Sequence, residues 1–140
     1  MNKKILLTLS LALIAIVMAS AVSADENVTI DGITFNIPDG YTEDADEAVV
    51  NETVSEDGVE YVSNSKLFEN GGDIMSIMVA TYDESISLDA LNDVGDDLKI
   101  GDVDGKLLDL SYVKVFSFEK DGKLVVLSTN NQDDIEKFLI

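Results

Sequence analysis

Asp-Gly occurs five times in this chain, at Asp31-Gly32, Asp39-Gly40, Asp57-Gly58, Asp104-Gly105 and Asp121-Gly122. These pairs constrain the fold more than any other feature. Both residue types tolerate the positive φ that a two-residue hairpin turn demands, so Asp-Gly between strand-like runs is the strongest short-range hairpin signal. Residues 28–30 and 33–37 alternate apolar and polar around the first pair and predict a hairpin, which Pro38 then ends because it cannot donate to a ladder. Residues 51–55 and 59–68 are β-rich around the third pair. Asn70-Gly71-Gly72 predicts another reversal. Residues 112–119 and 124–129 predict a hairpin around Asp121-Gly122, and residues 103–110 a strand running through a turn at Asp104-Gly105. The spacing of the pairs is irregular, so there is no repeat.

Residues 74–82 are almost continuously apolar and predict a central strand buried on both faces. Three segments carry helical signals. Residues 42–50 open with Thr42 as an N-cap, place acidic residues in the first turn and continue with Ala and Val. Ser87 caps a second segment, with Leu88, Leu91, Val94 and Leu98 on one stripe interrupted by Gly95. Asn131 caps a third, whose Ile135, Phe138 and Leu139 face inward. Strands and helices do not alternate as βαβ units. The predicted class is α+β, a largely antiparallel sheet with covering helices.

The chain opens with Lys3 and Lys4, an uncharged run over residues 5–22, and the small-residue exit Val22-Ser23-Ala24 before Asp25 and Glu26. A basic start, an apolar stretch and a small-x-small exit are the parts of a secretory signal. The expected organisation is a signal peptide over residues 1–24 and a single domain over residues 25–140. The competing reading is an uncleaved anchor, since residues 5–24 approach the roughly 20 apolar residues a bilayer-spanning helix needs. Either way the domain is expected outside the cytoplasm, secreted or in the cell envelope, touching a membrane only through residues 5–24.

Charge and missing residue types narrow the function. The chain carries 28 acidic and 9 basic residues, a net charge of −19. Removing residues 1–24 leaves 7 lysines against the same 28 carboxylates, a net charge of −21. Binding DNA or RNA requires cations to neutralise phosphates, so nucleic acid is not an expected partner. An anionic membrane surface is disfavoured for the same reason. Cys and His are absent, as is Arg. These absences remove disulfides, thiol nucleophiles, Ser-His pairs, His- or thiolate-bound zinc and bidentate guanidinium clamps. The core must then hold the domain together unaided.

The phrase Phe35-Asn36-Ile37-Pro38-Asp39-Gly40-Tyr41 and the tail Phe116-Ser117-Phe118-Glu119-Lys120-Asp121-Gly122-Lys123-Leu124-Val125-Val126 resemble small secreted archaeal proteins of unknown function. They also distantly resemble the Mog1/PsbP-like fold, with its "xIPxGY"-type corner. That resemblance implies an antiparallel sheet covered by helices on its faces. It implies accessory or binding roles and carries over no catalytic residue.

Candidate sites are few. Glu43, Asp44, Asp46 and Glu47 form one acidic group; Asp93, Asp96 and Asp97 form another. Asp102-Val103-Asp104-Gly105 begins like a calcium loop. It lacks a third ligand before the glycine, and Val113 would fall where the closing ligand belongs. Asp102 and Asp104 are therefore weak metal candidates against a solvated turn, and no cofactor is expected. Glu60 and Glu69 sit among apolar strand residues; they are the carboxylates to inspect for a glycosidase-type pair, against ordinary edge-strand charge. Asn27 and Asn51 head N-x-Thr glycosylation sequons. Tyr61, Tyr82, Tyr112, Phe116 and Phe118 could line a pocket or simply fill the core. The expected function is a non-catalytic, acidic binding or accessory module of the envelope, with an envelope protein as partner. The alternatives are a carrier of a small apolar ligand held between sheet and helix, and a carboxylate hydrolase.

Overall fold

The Asp31-Gly32 pair closes a two-residue turn with both residues at positive φ (+47° and +84°). It joins β1 (Glu26–Ile30) to β2 (Ile33–Ile37), which pair antiparallel from Glu26↔Ile37 to Ile30↔Ile33. The computed structural model describes residues 26–56, 58–83 and 95–140. After the first hairpin come β3 (Thr42–Glu56), β4 (Val59–Asn70), β5 (Asp73–Tyr82), β6 (Asp96–Ile100), β7 (Val103–Asp109), β8 (Lys114–Lys120) and β9 (Lys123–Thr129). A 3₁₀ turn, Gln132–Asp134, leads into one short helix, α1 (Ile135–Phe138).

The seven strands β3 to β9 form one sheet in the order β3-β4-β5-β9-β8-β7-β6, and every neighbouring pair is antiparallel. The predicted α+β class with a largely antiparallel sheet is therefore correct. Residues 74–82 form the expected central strand: β5 is hydrogen-bonded to β4 and β9, and Met75, Ile77, Met78, Val79 and Ala80 are all at most 1% exposed.

The strand period of two divides the sheet's side chains between two faces. On one, Phe68, Met75, Ile77, Val79, Phe116, Phe118, Val125 and Leu127 point toward the β1–β2 hairpin and α1. Ile30, Ile33, Phe35, Ile37, Ile135 and Phe138 close over them. On the other, Tyr61, Met78, Ala80, Val113, Val115, Leu124 and Val126 form a second cluster. Burying each large apolar side chain contributes roughly 1.5–3 kcal/mol over leaving it exposed. Two such clusters must offset chain entropy in a protein with no cysteine.

Three sequence expectations are corrected. Residues 42–50 are strand rather than helix: they belong to β3, whose pairing with β4 is interrupted between Asp44 and Val49 and again between Val49 and Glu52. Asp104-Gly105 is not a turn. It lies inside β7, and the reversal falls three residues earlier, at Gly101-Asp102, with Gly101 at φ +58°. Gly105 is required there by packing, since a Cβ would sit 2.6 Å from the Phe116 ring and from the Ser117 carbonyl oxygen. Leu98, assigned to a helical stripe, lies in β6 against the first cluster. The remainder of that helix, like the signal or anchor over residues 1–24, falls outside the described residues. Among the described residues no helix is long and apolar enough to cross a membrane.

The third helix stands. Asn131 accepts a hydrogen bond from the Asp133 amide as N-cap, and Ile135 and Phe138 are fully buried. Beneath it, the Tyr41 hydroxyl donates to Asp134 Oδ2 at 2.5 Å, and the Tyr41 ring meets Phe138 edge-on with centroids 4.9 Å apart. Lys137 donates to the other oxygen of Asp134 at 2.9 Å. Burial, and then the hydrogen bond to the Asp134 carboxylate, push the Tyr41 phenol far above its ordinary range.

Candidate functional site

Among the described residues, two concavities open to solvent stand out. The larger, about 350 Å³, lies where β2, the start of β7, the end of β8 and the last residues of the chain meet. Its floor is apolar, with Ile33, Phe35, Val103, Phe118 and Leu139. Its rim carries exposed Asp102, Asp104, Glu119 and Lys120. The tight turn at Gly101 carries Asp102, and the strand start carries Asp104, so both predicted metal candidates border one cleft. Among the described residues no group of three or more acidic side chains lies close enough to hold a metal ion. What the cleft offers is an apolar surface edged by three carboxylates and one ammonium group.

The smaller concavity, about 210 Å³, lies on the other sheet face and is lined by Ile74, Ser76, Tyr112, Val113, Ser128, Thr129 and Asn130. Ser76 and Ser128 are cross-strand partners on β5 and β9. Tyr112 reaches it from the loop between β7 and β8. That loop is fastened by the Asp109 carboxylate, which accepts from the Ser111 amide at 2.8 Å and from Lys114 at 2.6 Å. The Lys114 ammonium, and then the amide, hold the Asp109 carboxyl below its usual range.

The predicted pocket aromatics are dispersed. Tyr61 and Tyr82 meet on one face with ring centroids 5.0 Å apart; Phe116 and Phe118 meet on the other at 5.7 Å. Phe118 borders the larger cleft, and Tyr112, 67% exposed, borders the smaller. Neither of these two clefts gathers all five.

Glu60 and Glu69 both lie on β4, which pairs with β3 on one side and β5 on the other, so the edge-strand explanation is replaced. They sit near opposite ends of the strand, and neither borders a described cleft. Asn27 is exposed on β1. Asn51 is exposed at φ +50° in the second interruption of β3, where its amide donates to Asn64 Oδ1 at 2.8 Å. Of the acidic groups, Glu43, Asp44, Asp46 and Glu47 line the outer strand β3, and Asp96 and Asp97 the outer strand β6. Asp93 lies outside the described residues.

Sequence reasoning missed Ser76 and Ser128. Their signal was available: each is a hydroxyl interrupting an apolar run that otherwise reads as buried strand. It also missed the Tyr41–Asp134 contact, which joins residues 93 positions apart and leaves no local trace.

No protein-family model, curated protein or solved structure matches the chain.

Proposed function

We propose that this chain is an exported, non-catalytic binding module that takes a cationic, partly apolar segment of another envelope component into the larger cleft. The observation that carries the reading is the pairing of an apolar floor, Phe35 and Phe118, with the carboxylate rim of Asp102, Asp104 and Glu119. A lysine-rich segment with one apolar anchor matches both parts. Its charge gains from complementarity, and its anchor from desolvation. The net charge of −19 extends the attraction beyond the cleft and speeds encounter with a basic partner. The antiparallel sheet with a helix packed on one face suits the Mog1/PsbP-like resemblance and its accessory roles, which belong to the same proposal.

The test is calorimetric titration of the full chain with a short peptide alternating Lys and Leu, at low and high salt. Binding at low salt that weakens as salt rises is expected, together with loss in a variant carrying Asp102→Lys, Asp104→Lys and Glu119→Lys. These side chains are exposed, so the variant should fold. Equal binding by that variant would place the partner elsewhere, and absence of binding at low salt would end the proposal.

A further inference from the structure

We infer that the outer edge of β6 pairs with the same edge of a second copy of this chain, strand against strand, about a two-fold axis at Leu98. β6 ends the sheet, and among the described residues no strand bonds to its far side. The Gly101-Asp102 turn fixes which backbone groups are available there. In a two-residue hairpin the closing pair, here Ile100 and Val103, exchanges both backbone hydrogen bonds, and bonded pairs then alternate along the ladder. Leu98 and Asp96 are therefore committed to Gly105 and Leu107, while the amide and carbonyl groups of Asp97 and Lys99 point away from β7. Those groups are what an added strand would meet.

Side chains decide which strand fits. Leu98 and Ile100 pack against the first apolar cluster, so Asp97 and Lys99 project from the opposite face, and both are exposed. Each has an opposite charge beside it on β7. Lys106 donates to Asp97 Oδ1, and Lys99 is the cross-strand partner of Asp104. A row of one sign repels its own copy, and β3 carries such a row in Glu43, Asp44, Asp46 and Glu47. β6 instead carries one charge of each sign, two residues apart. That order is its own complement when the strand is reversed.

The antiparallel registers that centre on these outward-facing groups are distinguished by charge. Setting Asp97 against the partner's Asp97, or Lys99 against the partner's Lys99, puts like charges in direct opposition, which is destabilising. Setting Asp97 against the partner's Lys99, and Lys99 against the partner's Asp97, makes both bonded pairs ion pairs. On the exposed face the row then reads Lys106, Asp97, the partner's Lys99, the partner's Asp104, alternating in sign across the junction. On the other face Leu98 meets the partner's Leu98 at a non-bonded pair, where side chains come closest. Association stops at two copies, because both β6 edges are then used and the ladder of the other outer strand, β3, is interrupted twice. A five-residue strand gives an interface below the ~1,200 Å² of stable complexes, so the dimer is weak and reversible.

The test combines sedimentation equilibrium with disulfide trapping of the full chain. No peptide is added, so the outcome is independent of the larger cleft. The parent should show a monomer–dimer equilibrium at ~0.5 mM protein in ~0.15 M salt, where a screening length of about 8 Å mutes the repulsion between two anionic bodies. Asp97→Lys and Lys99→Asp, both at exposed positions, should each be monomeric alone and dimerise when mixed, because the mixed pair restores both opposite-charge contacts. The chain has no cysteine, so single thiols report the register. Leu98→Cys puts its thiol on the axis, with Cα atoms ~4.5 Å apart and within disulfide reach; Ile100→Cys puts its thiol roughly 14 Å from its copy. Leu98→Cys should cross-link at least ~10-fold faster than Ile100→Cys under the same oxidant. The inference is overturned if the parent stays monomeric, if the two cysteine variants cross-link at equal rates, or if the mixed charge variants stay apart. A dimer that Asp97→Lys leaves intact belongs to another surface and overturns it as well.

Discussion

Tyr41 and Asp134 show what one contact does for this chain. The hydroxyl donates to a carboxylate that is 5% exposed, and Lys137 serves its other oxygen. Tyr41→Phe removes one of the two partners and leaves a buried acceptor short of a donor, at a cost of about 1–3 kcal/mol. A lower urea midpoint with an unchanged slope is the expected result. The pH dependence has a definite sign. The phenol's ionisation is held above its ordinary value in the folded state, so its contribution is fully present below a pH of about 10 and is lost as pH rises beyond that. Parent stability should fall more steeply than that of Tyr41→Phe above that pH, measured by denaturant titration at a series of alkaline values. Equal slopes would show that the hydroxyl does not feel its surroundings as described.

At the level of elements, hairpins were legible where backbone sterics speak through residue type. Asp31-Gly32 and Asp121-Gly122 both place two residues at positive φ, and that requirement is written locally. Asp104-Gly105 carries the same letters for another reason: the glycine makes room for Phe116, a contact set by the neighbouring strand. Residues 42–50 were misread because an acidic start followed by Ala and Val imitates a helix N-terminus. The same charges serve a different purpose on β3, an outer strand whose ladder with β4 is broken twice. Asp44 Oδ1 accepts from the Asp46 amide at 2.9 Å at the first break. Charges and bulges together discourage a second chain from adding to the edge. Replacing Asp44, Asp46 and Glu47 by Thr should therefore produce self-association that rises with concentration in sedimentation velocity. A variant that stays monomeric at every concentration would remove this role. The clefts were less legible than the hairpins, because Asp102, Phe118 and Phe35 come from three separate elements, and only the packing of the β1–β2 hairpin over the larger sheet brings them together.

For the molecule as a whole, 28 carboxylates against 9 ammonium groups make self-repulsion a standing cost. The described ion pairs offset little of it. Lys66–Glu43 at 3.2 Å and Lys114–Asp109 at 2.6 Å have partly exposed partners, and solvent screens such pairs so that they add little to stability. Raising salt from about 0.01 M to about 1 M shortens the screening length from roughly 30 Å to 3 Å. The melting temperature should rise over that range, equally in sodium and choline chloride, because screening does not depend on the cation's identity. A rise confined to one cation would indicate a specific ion instead.

Sheet order and chain order also disagree in a way that matters during synthesis. β9 lies between β5 and β8, yet it is the last of the described strands. A ribosome releases polypeptide from the N-terminus, so β3, β4 and β5 can assemble while the inner margin of β5, the most apolar strand, still has nothing to bond to. That margin stays open until residue 129 emerges. The two half-sheets, β3-β4-β5 and β8-β7-β6, join only across β9, so their seam can close only after both have been made.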